Sequence, residues 1–367
     1  MRRDPGRYRG ALLPRARWED LGYHPRDLAG PDFTRVYRGF HTPTDHPASL
    51  NAMAFVLQHR VLPGCVISHT TAALLLGVPF SWALDGGVAF LRPGPGPAGS
   101  EPGDDVPLIP SVRPGQSLRT GARLPLLHAR IPQGEAKAVR RGVHVHRWEP
   151  GPVLELGDLV VSAPVEVLRE LATMLPLYDL VAAVDGVLSA AQPLARVGRA
   201  DISRHLELMS GHRGVTLLRE ALALAREDVR SPGESPMHML VLAAGLPEPD
   251  PNLPVTDPVT GQRRLLDLAW QDAGFALEYD GDGHRTTKEQ WREDEARRDE
   301  LAALGWTLAR ANGWDALRPL RILRRLARAL RERGSAVPSD EHIARVVAAL
   351  PSRGVTLQLE RRRSGYR

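Results

Sequence analysis

Two runs decide the fold of the C-terminal third: Arg263-Arg264-Leu265-Leu266-Asp267-Leu268-Ala269-Trp270 and Phe275-Ala276-Leu277-Glu278-Tyr279-Asp280, joined by Gln271-Asp272-Ala273-Gly274. Apolar runs of strand length around a short polar turn with glycine predict a β-hairpin. Side chains alternate faces along a strand. Leu266, Leu268 and Trp270 are therefore expected on one face, with Leu265, Asp267 and Ala269 on the other. In the second strand Phe275, Leu277 and Tyr279 share a face, and Ala276, Glu278 and Asp280 share the opposite one. If the two polar faces coincide, Asp267 lies across from Glu278 and Asp280. Like charges so placed repel unless a cation or protons offset them. A hard cation with oxygen ligands, Mg2+ or Mn2+, is the natural counter-charge, with Asp267 and Glu278 as its ligands.

The hairpin is followed at once by Gly281-Asp282-Gly283-His284. Two glycines allow a sharp turn that brings His284 back over the carboxylates. Histidine is suited to taking a proton from water near neutral pH. A cation for phosphate charge and a base for water is sufficient apparatus for phosphodiester hydrolysis. Each residue also has a plainer reading. Glu234 is explained by helix capping, Asp267 by an arginine partner such as Arg298 or Arg310, the end of the second strand by an exposed turn, and His284 by an ordinary loop position.

Upstream, Ser231-Pro232-Gly233-Glu234 is a helix-start signal. The helix carries Met237, Leu240, Val241 and Ala244 and stops at Gly245. A further strand is expected near Asn252 to Thr256. Downstream, a long helix is expected over Thr287 to Leu304, a strand over Trp306 to Arg310 and a last helix from near Trp314. On the long helix, Asp294 has pair spacing with Arg297 and Arg298. One of these arginines is expected in a solvent-facing ion pair and the other at the carboxylates or a phosphate. Arg310 belongs to the same supporting set, and Glu234 would support the water shell of the cation.

The remaining regions are less informative. The expected divisions are 1–91, a Pro/Gly-rich loop over 92–115, a middle α+β region over 116–227, the C-terminal domain over 228–333 and an extension over 334–367. No run of apolar residues is long enough for a membrane span, and basic Met1 to Gly10 has no apolar segment behind it. One cysteine, Cys65, excludes an internal disulfide and a cysteine-rich zinc site. A cytoplasmic location is expected. A net charge of +5 biases the chain towards polyanions. The basic residues are almost all arginine, which a GC-rich coding sequence also explains. Ser68-His69-Thr70-Thr71 reads as a helix start with a Ser or Thr cap. His144 and His146 share a strand face but have no third ligand nearby in sequence, which favours a structural role.

The segment SPGES…LLDLAW…FALEYDGDGHR…WREDEARRDELAALGWTLAR, from Ser231 to Arg310, resembles the domain-of-unknown-function 559 family. That family is akin to the very-short-patch-repair (Vsr) endonucleases of the restriction-endonuclease-like PD-(D/E)XK superfamily. The resemblance implies an α/β fold with a central mixed sheet flanked by helices, and a Mg2+-dependent DNA-cutting site. On it Asp267 matches the metal-binding Asp, Glu278 the second acidic position and His284 the catalytic His. Asp280 stands where superfamily members often have Lys, a residue that the repair-like branch also dispenses with. The N-terminal LGYHPRDLAG…FTRVYRGFHTP and ISHTTAALLLGVP resemble AbiEi-type antitoxins, which implies a winged-helix module. Leu21 to Leu28 would then be a helical start and Thr34 to Gly39 a wing, with Arg35 and Arg38 able to touch phosphates. Three functions are carried forward: a metal-dependent DNA endonuclease or nickase, a non-cutting DNA-binding regulator of antitoxin type and, below these, a repair enzyme for mismatched or damaged bases. A homodimer and a toxin or defence-system partner are further expectations of the same resemblance.

Overall fold

The computed structural model describes residues 4–78, 83–84, 88–89, 127–134, 142–147, 151–175, 177–189, 194–227, 229, 234–258, 261–279, 288–312, 315 and 319–349. The chain divides into two compact units. One comprises Met1–Val78, Trp82–Met174 and Ala200–Val215; the other comprises Pro79–Ser81, Leu175–Arg199 and Thr216–Arg367. Leu175–Arg199, read from sequence as part of the middle region, thus groups with the second unit. Among the described residues both units mix helices and strands, an α/β class. No described helix is long and apolar enough to cross a membrane.

The first unit begins with β1 (Leu13–Pro14), α1 (Arg15–Asp20), α2 (Pro25–Leu28), β2 (Phe33–Tyr37) and β3 (Phe40–Pro43). The strands form a sheet of order β1-β3-β2. Trp18 is fully buried against Tyr23, Leu28 and Phe33, and its indole N–H donates to the His41 carbonyl at 3.0 Å. The helical start expected over Leu21 to Leu28 shrinks to the four residues of α2. Gly22, at φ 85, breaks the chain just before it. The strand and turn expected over Thr34 to Gly39 are present, with Gly39 at φ 83 in the turn. Then come α3 (Leu50–Val56), β4 (Val66–Ile67), α4 (His69–Leu76), the short pair β5 (Ala83–Leu84) and β6 (Val88–Ala89), β7 (Leu127–Ile131), β8 (Val143–Arg147), β9 (Val153–Leu156), β10 (Leu159–Ser162) and α5 (Pro164–Leu171). The larger sheet has the order β8-β7-β4-β10-β9 and is mixed: β7/β8 and β4/β10 are parallel, β4/β7 and β9/β10 antiparallel.

The α5 sequence reads as amphipathic, yet its polar side is buried too. Glu166, Arg169 and Glu170 are each at most 1% exposed. Arg169 pairs with Glu166 through two nitrogens, and His205 Nε2 lies 2.9 Å from the same carboxylate. A charged face without water persists only when each charge meets a partner.

The second unit contains α6 (Leu177–Leu188), α9 (Glu234–Ala243), β11 (Asp250–Thr256), β12 (Arg263–Trp270), β13 (Phe275–Tyr279), α10 (Lys288–Ala303), β14 (Thr307–Ala311), α11 (Pro319–Glu332) and α12 (Asp340–Ala349); α7 (Arg199–Leu208) and α8 (Val215–Leu224) precede α9 in the chain. The predicted hairpin, long helix and following strand all form. The strand order is β11-β12-β13-β14, with antiparallel neighbours except for the parallel pair β13/β14. The α10 crossover makes that parallel pairing possible. One sheet face, with Leu268, Trp270, Phe275 and Leu277, buries against α9, α11 and α12. The other, with Leu266, Ala269 and Ala276, buries against Leu301 of α10.

Strict alternation along β12 fails at one point. Leu266 belongs with Ala269, not with Leu268 and Trp270. The break falls at Asp267. Opposite it on β11 is Asn252, between the pairs Pro251↔Leu268 and Leu253↔Leu266. Asn252 has φ 50. This left-handed residue twists the ladder locally and reverses the face of what precedes Asp267.

His238 of α9 is buried, and its Nε2 has no hydrogen-bond partner among the described residues. Burial, with a smaller contribution from Arg226, pushes the imidazole down to about 3. The unfolded chain takes up this proton below pH ~6.5 while the folded one does not, so stability falls as pH drops from there towards 3. The slope is about 1.4 kcal/mol per pH unit. Asp185, raised to about 6 chiefly by burial, acts oppositely: its contribution is lost as pH rises through 6. Urea unfolding of wild type and His238→Leu at pH 7, 6 and 5 separates the two. The difference between the proteins is expected to shift by roughly that slope below pH 6.5; parallel curves would refute it.

Candidate metal centre

The hairpin places Asp267 and Glu278 beside each other. Leu268↔Leu277 is the last ladder pair of β12 and β13, and Asp267 and Glu278 are the next residues outward. The main-chain N–H of Tyr279 donates to Asp267 Oδ2 at 2.8 Å, so the Asp267 carboxylate reaches across to the end of β13. Asp267 is half-buried; Glu278 is only 8% exposed. Glu278 shares its sheet face with Ala276, the face covered by α10.

Glu234 opens α9 and is 3% exposed. Its Oε2 accepts from Asn252 Nδ2 at 3.4 Å. Because Asn252 stands opposite Asp267, the left-handed residue links the first turn of α9 to the acidic end of the hairpin. The capping signal at Ser231 lies outside the described residues. So do Asp280 and His284.

The two arginines of α10 take different partners. Arg298 makes a half-exposed i, i+3 pair with Glu295 at 2.5 Å. Arg297 turns inward. Its NH2 group lies 2.5 Å from Glu278 Oε1 and donates to the Leu265 carbonyl at 3.0 Å. Arg298 pairs with Glu295; the side chain of Asp294 lies outside the described residues. Arg310 is the parallel neighbour of Glu278 on β14, and its carbonyl accepts from Arg325 NH2 at 2.5 Å. In the other unit Arg35 and Arg38 are both exposed, on β2 and its turn.

Carboxylate residues at neighbouring strand positions are hard oxygen donors and suit Mg2+ or Mn2+. The Arg297 contact is the competing arrangement. It engages Glu278 Oε1, and a carboxylate can accept from a guanidinium and a cation at different lone pairs. Arg297→Ala removes the competitor and leaves a nearly buried carboxylate without that partner. Its stability in chelator is expected to fall by about 2 kcal/mol, discounted for the one-third exposure of the arginine. Added Mn2+ is expected to restore more stability to this variant than to wild type. Equal Mn2+ effects in thermal melts would show that Glu278 takes no part in cation binding.

Sequence spacing missed a different gathering. Among the described residues, the group of three whose ligand atoms all lie within 4.8 Å of one another is His69, His128 and His146. His144 and His146 were visible as a strand pair. His69 and His128 are far away in sequence and reach them only through β-sheet pairing.

Two uncharacterized Mycobacterium tuberculosis proteins are similar to this chain: MT2308 of strain CDC 1551 / Oshkosh and Rv2248 of strain ATCC 25618 / H37Rv. Each is 29% identical over 191 residues, 52% of this chain and 68% of the relative. No protein-family model matches the chain, and no solved structure matches it.

Proposed function

We propose that the second unit is a divalent-metal-dependent nuclease acting on duplex DNA, a single-strand nick being its smallest product. The observation that carries this reading is the placement of Asp267 and Glu278 at adjacent strand positions, with Glu234 linked to them through Asn252. The element order α9-β11-β12-β13-α10-β14, with helices on both faces of a mixed sheet, agrees with the restriction-endonuclease-like resemblance. Asp267 and Glu278 would hold Mg2+ or Mn2+, which when bound supplies charge neutralisation at the phosphate. Glu234 would order water beside it. His284 is assigned as proton acceptor from water, with Asp280 to orient it. Arg297 and Arg310, on or over the same sheet face, would meet phosphate oxygens. Arg35 and Arg38 would add sequence-independent backbone contacts from the winged-helix-like hairpin. A cytoplasmic location belongs to the same reading.

One observation favours a second reading. The Arg297–Glu278 pair supplies with protein what a cation would supply, and a non-cutting DNA-binding regulator of antitoxin type would need no more. Supercoiled plasmid incubated with purified protein and Mg2+ or Mn2+, beside Asp267→Ala, separates the two. Metal-dependent relaxation that the variant lacks supports the nuclease. Salt-sensitive duplex binding without relaxation supports the regulator.

A further inference from the structure

The first unit carries a constellation that the nuclease reading does not use. In the parallel register of β7 and β8, His128 lies beside His144 and Arg130 beside His146. His69 is the first residue of α4. Its ring stacks on His146 with centroids 3.5 Å apart, and His128 Nδ1 is 2.8 Å from His146 Nε2. His69 and His128 are buried and His146 is half-buried. His144 is exposed, with its ring 4.4 Å from that of His146, and marks the solvent side.

We propose that His69, His128 and His146 form a three-histidine site for a transition-metal dication, Zn2+ being the fitting occupant, with the remaining coordination position towards His144. Imidazole donors without a carboxylate among them select Zn2+ and its neighbours over Mg2+. Three protein ligands and one open position is the pattern of zinc sites that bind a further molecule.

Two observations apart from proximity point to a ligand. His128 Nε2 is buried with no hydrogen-bond partner among the described residues, a cost that folded proteins rarely leave standing. His69 has φ 51, a left-handed conformation that costs a non-glycine residue about 1–3 kcal/mol and clusters at functional sites. The surroundings hold it there. Ser68 occupies the N-cap position but does not cap α4. Instead its Oγ lies 3.0 Å from His69 Nδ1, and the His69 N–H donates to Glu170 Oε2 at 2.7 Å. The expected Ser or Thr cap is thus replaced by a carboxylate from α5. A second partner on one ring nitrogen is how proteins orient a metal-binding imidazole. Tetrahedral zinc places ligand atoms about 3.3 Å apart. Holding the ion therefore requires the His128 and His146 nitrogens, 2.8 Å apart, to separate and the stacked His69 and His146 rings to splay, with His146 the least buried of the three.

The test uses the full chain carrying Asp267→Asn and Glu278→Gln, so that the carboxylate site does not contribute. Co2+ serves as the optical probe, and Zn2+ is followed by calorimetry. The expected result is one ion per chain, a visible Co2+ absorption that Zn2+ displaces, and a rise in melting temperature with Zn2+. His146→Ala is expected to abolish the absorption while keeping the far-ultraviolet circular dichroism. Ser68→Ala is expected to weaken binding about 10-fold. No Zn2+ or Co2+ uptake and no thermal shift overturns the proposal without any histidine variant. Unchanged uptake by folded His146→Ala overturns it equally.

Discussion

On the nuclease reading, Asp267→Asn is expected to lower metal-dependent plasmid cleavage at least about 10³-fold, equivalent to about 4 kcal/mol of barrier. The substitution keeps the shape of the side chain. Its amide oxygen can still accept from the Tyr279 N–H, as Oδ2 does at 2.8 Å. The fold should therefore survive with a stability change of about 1 kcal/mol or less. Only the negative charge is lost, and with it one of the two carboxylates proposed for a hard cation. Cleavage within about 10-fold of wild type, in a variant with an unchanged melt, would remove Asp267 from the chemistry and with it the nuclease reading.

Arg169→Met is expected to destabilise the first unit by about 3–5 kcal/mol. Both partners of this ion pair are essentially without solvent, at 2% and 0% side-chain exposure. The variant leaves the Glu166 carboxylate in a dry interior with His205 as its remaining named partner. There is no room for water to take over on one side: a Cβ on Gly151 would lie 2.6 Å from Glu166 Oε1. Replacing both residues, as Glu166→Gln with Arg169→Met, should recover most of the loss, because no charge is then stranded. Urea unfolding of the single and double variants reads this directly. A single-variant cost below about 1 kcal/mol would mean that the pair is solvated in solution.

The hairpin was legible because its two runs carry strand-length apolar patterns and a glycine turn, and β12 forms over Arg263–Trp270 as read. Its fine structure was not. Alternation assigns Leu266 to the face of Leu268, but a left-handed Asn252 on the neighbouring strand undoes this. No pattern within β12 itself encodes a neighbour's backbone angle. The α5 helix shows a related failure. Helical spacing cannot say whether the polar stripe of Glu166, Arg169 and Glu170 meets water or partners. The partners, His205 among them, come from other elements. Arg297 was legible as one of two candidates for an inward role; only the placement of α10 over β13 selects it from Arg298. His128 carried no signal, being one histidine in an apolar strand.

Edge strand β11 has a bearing on self-association. Of its seven residues, Asp250–Thr256, two are prolines and one is the left-handed Asn252. Pro251 and Pro254 cannot donate a main-chain N–H, and the twist at Asn252 spoils the straight rim that an incoming strand requires. A second copy of this protein is thereby turned away from stacking onto that border, so a continuous sheet shared between copies cannot be built through β11.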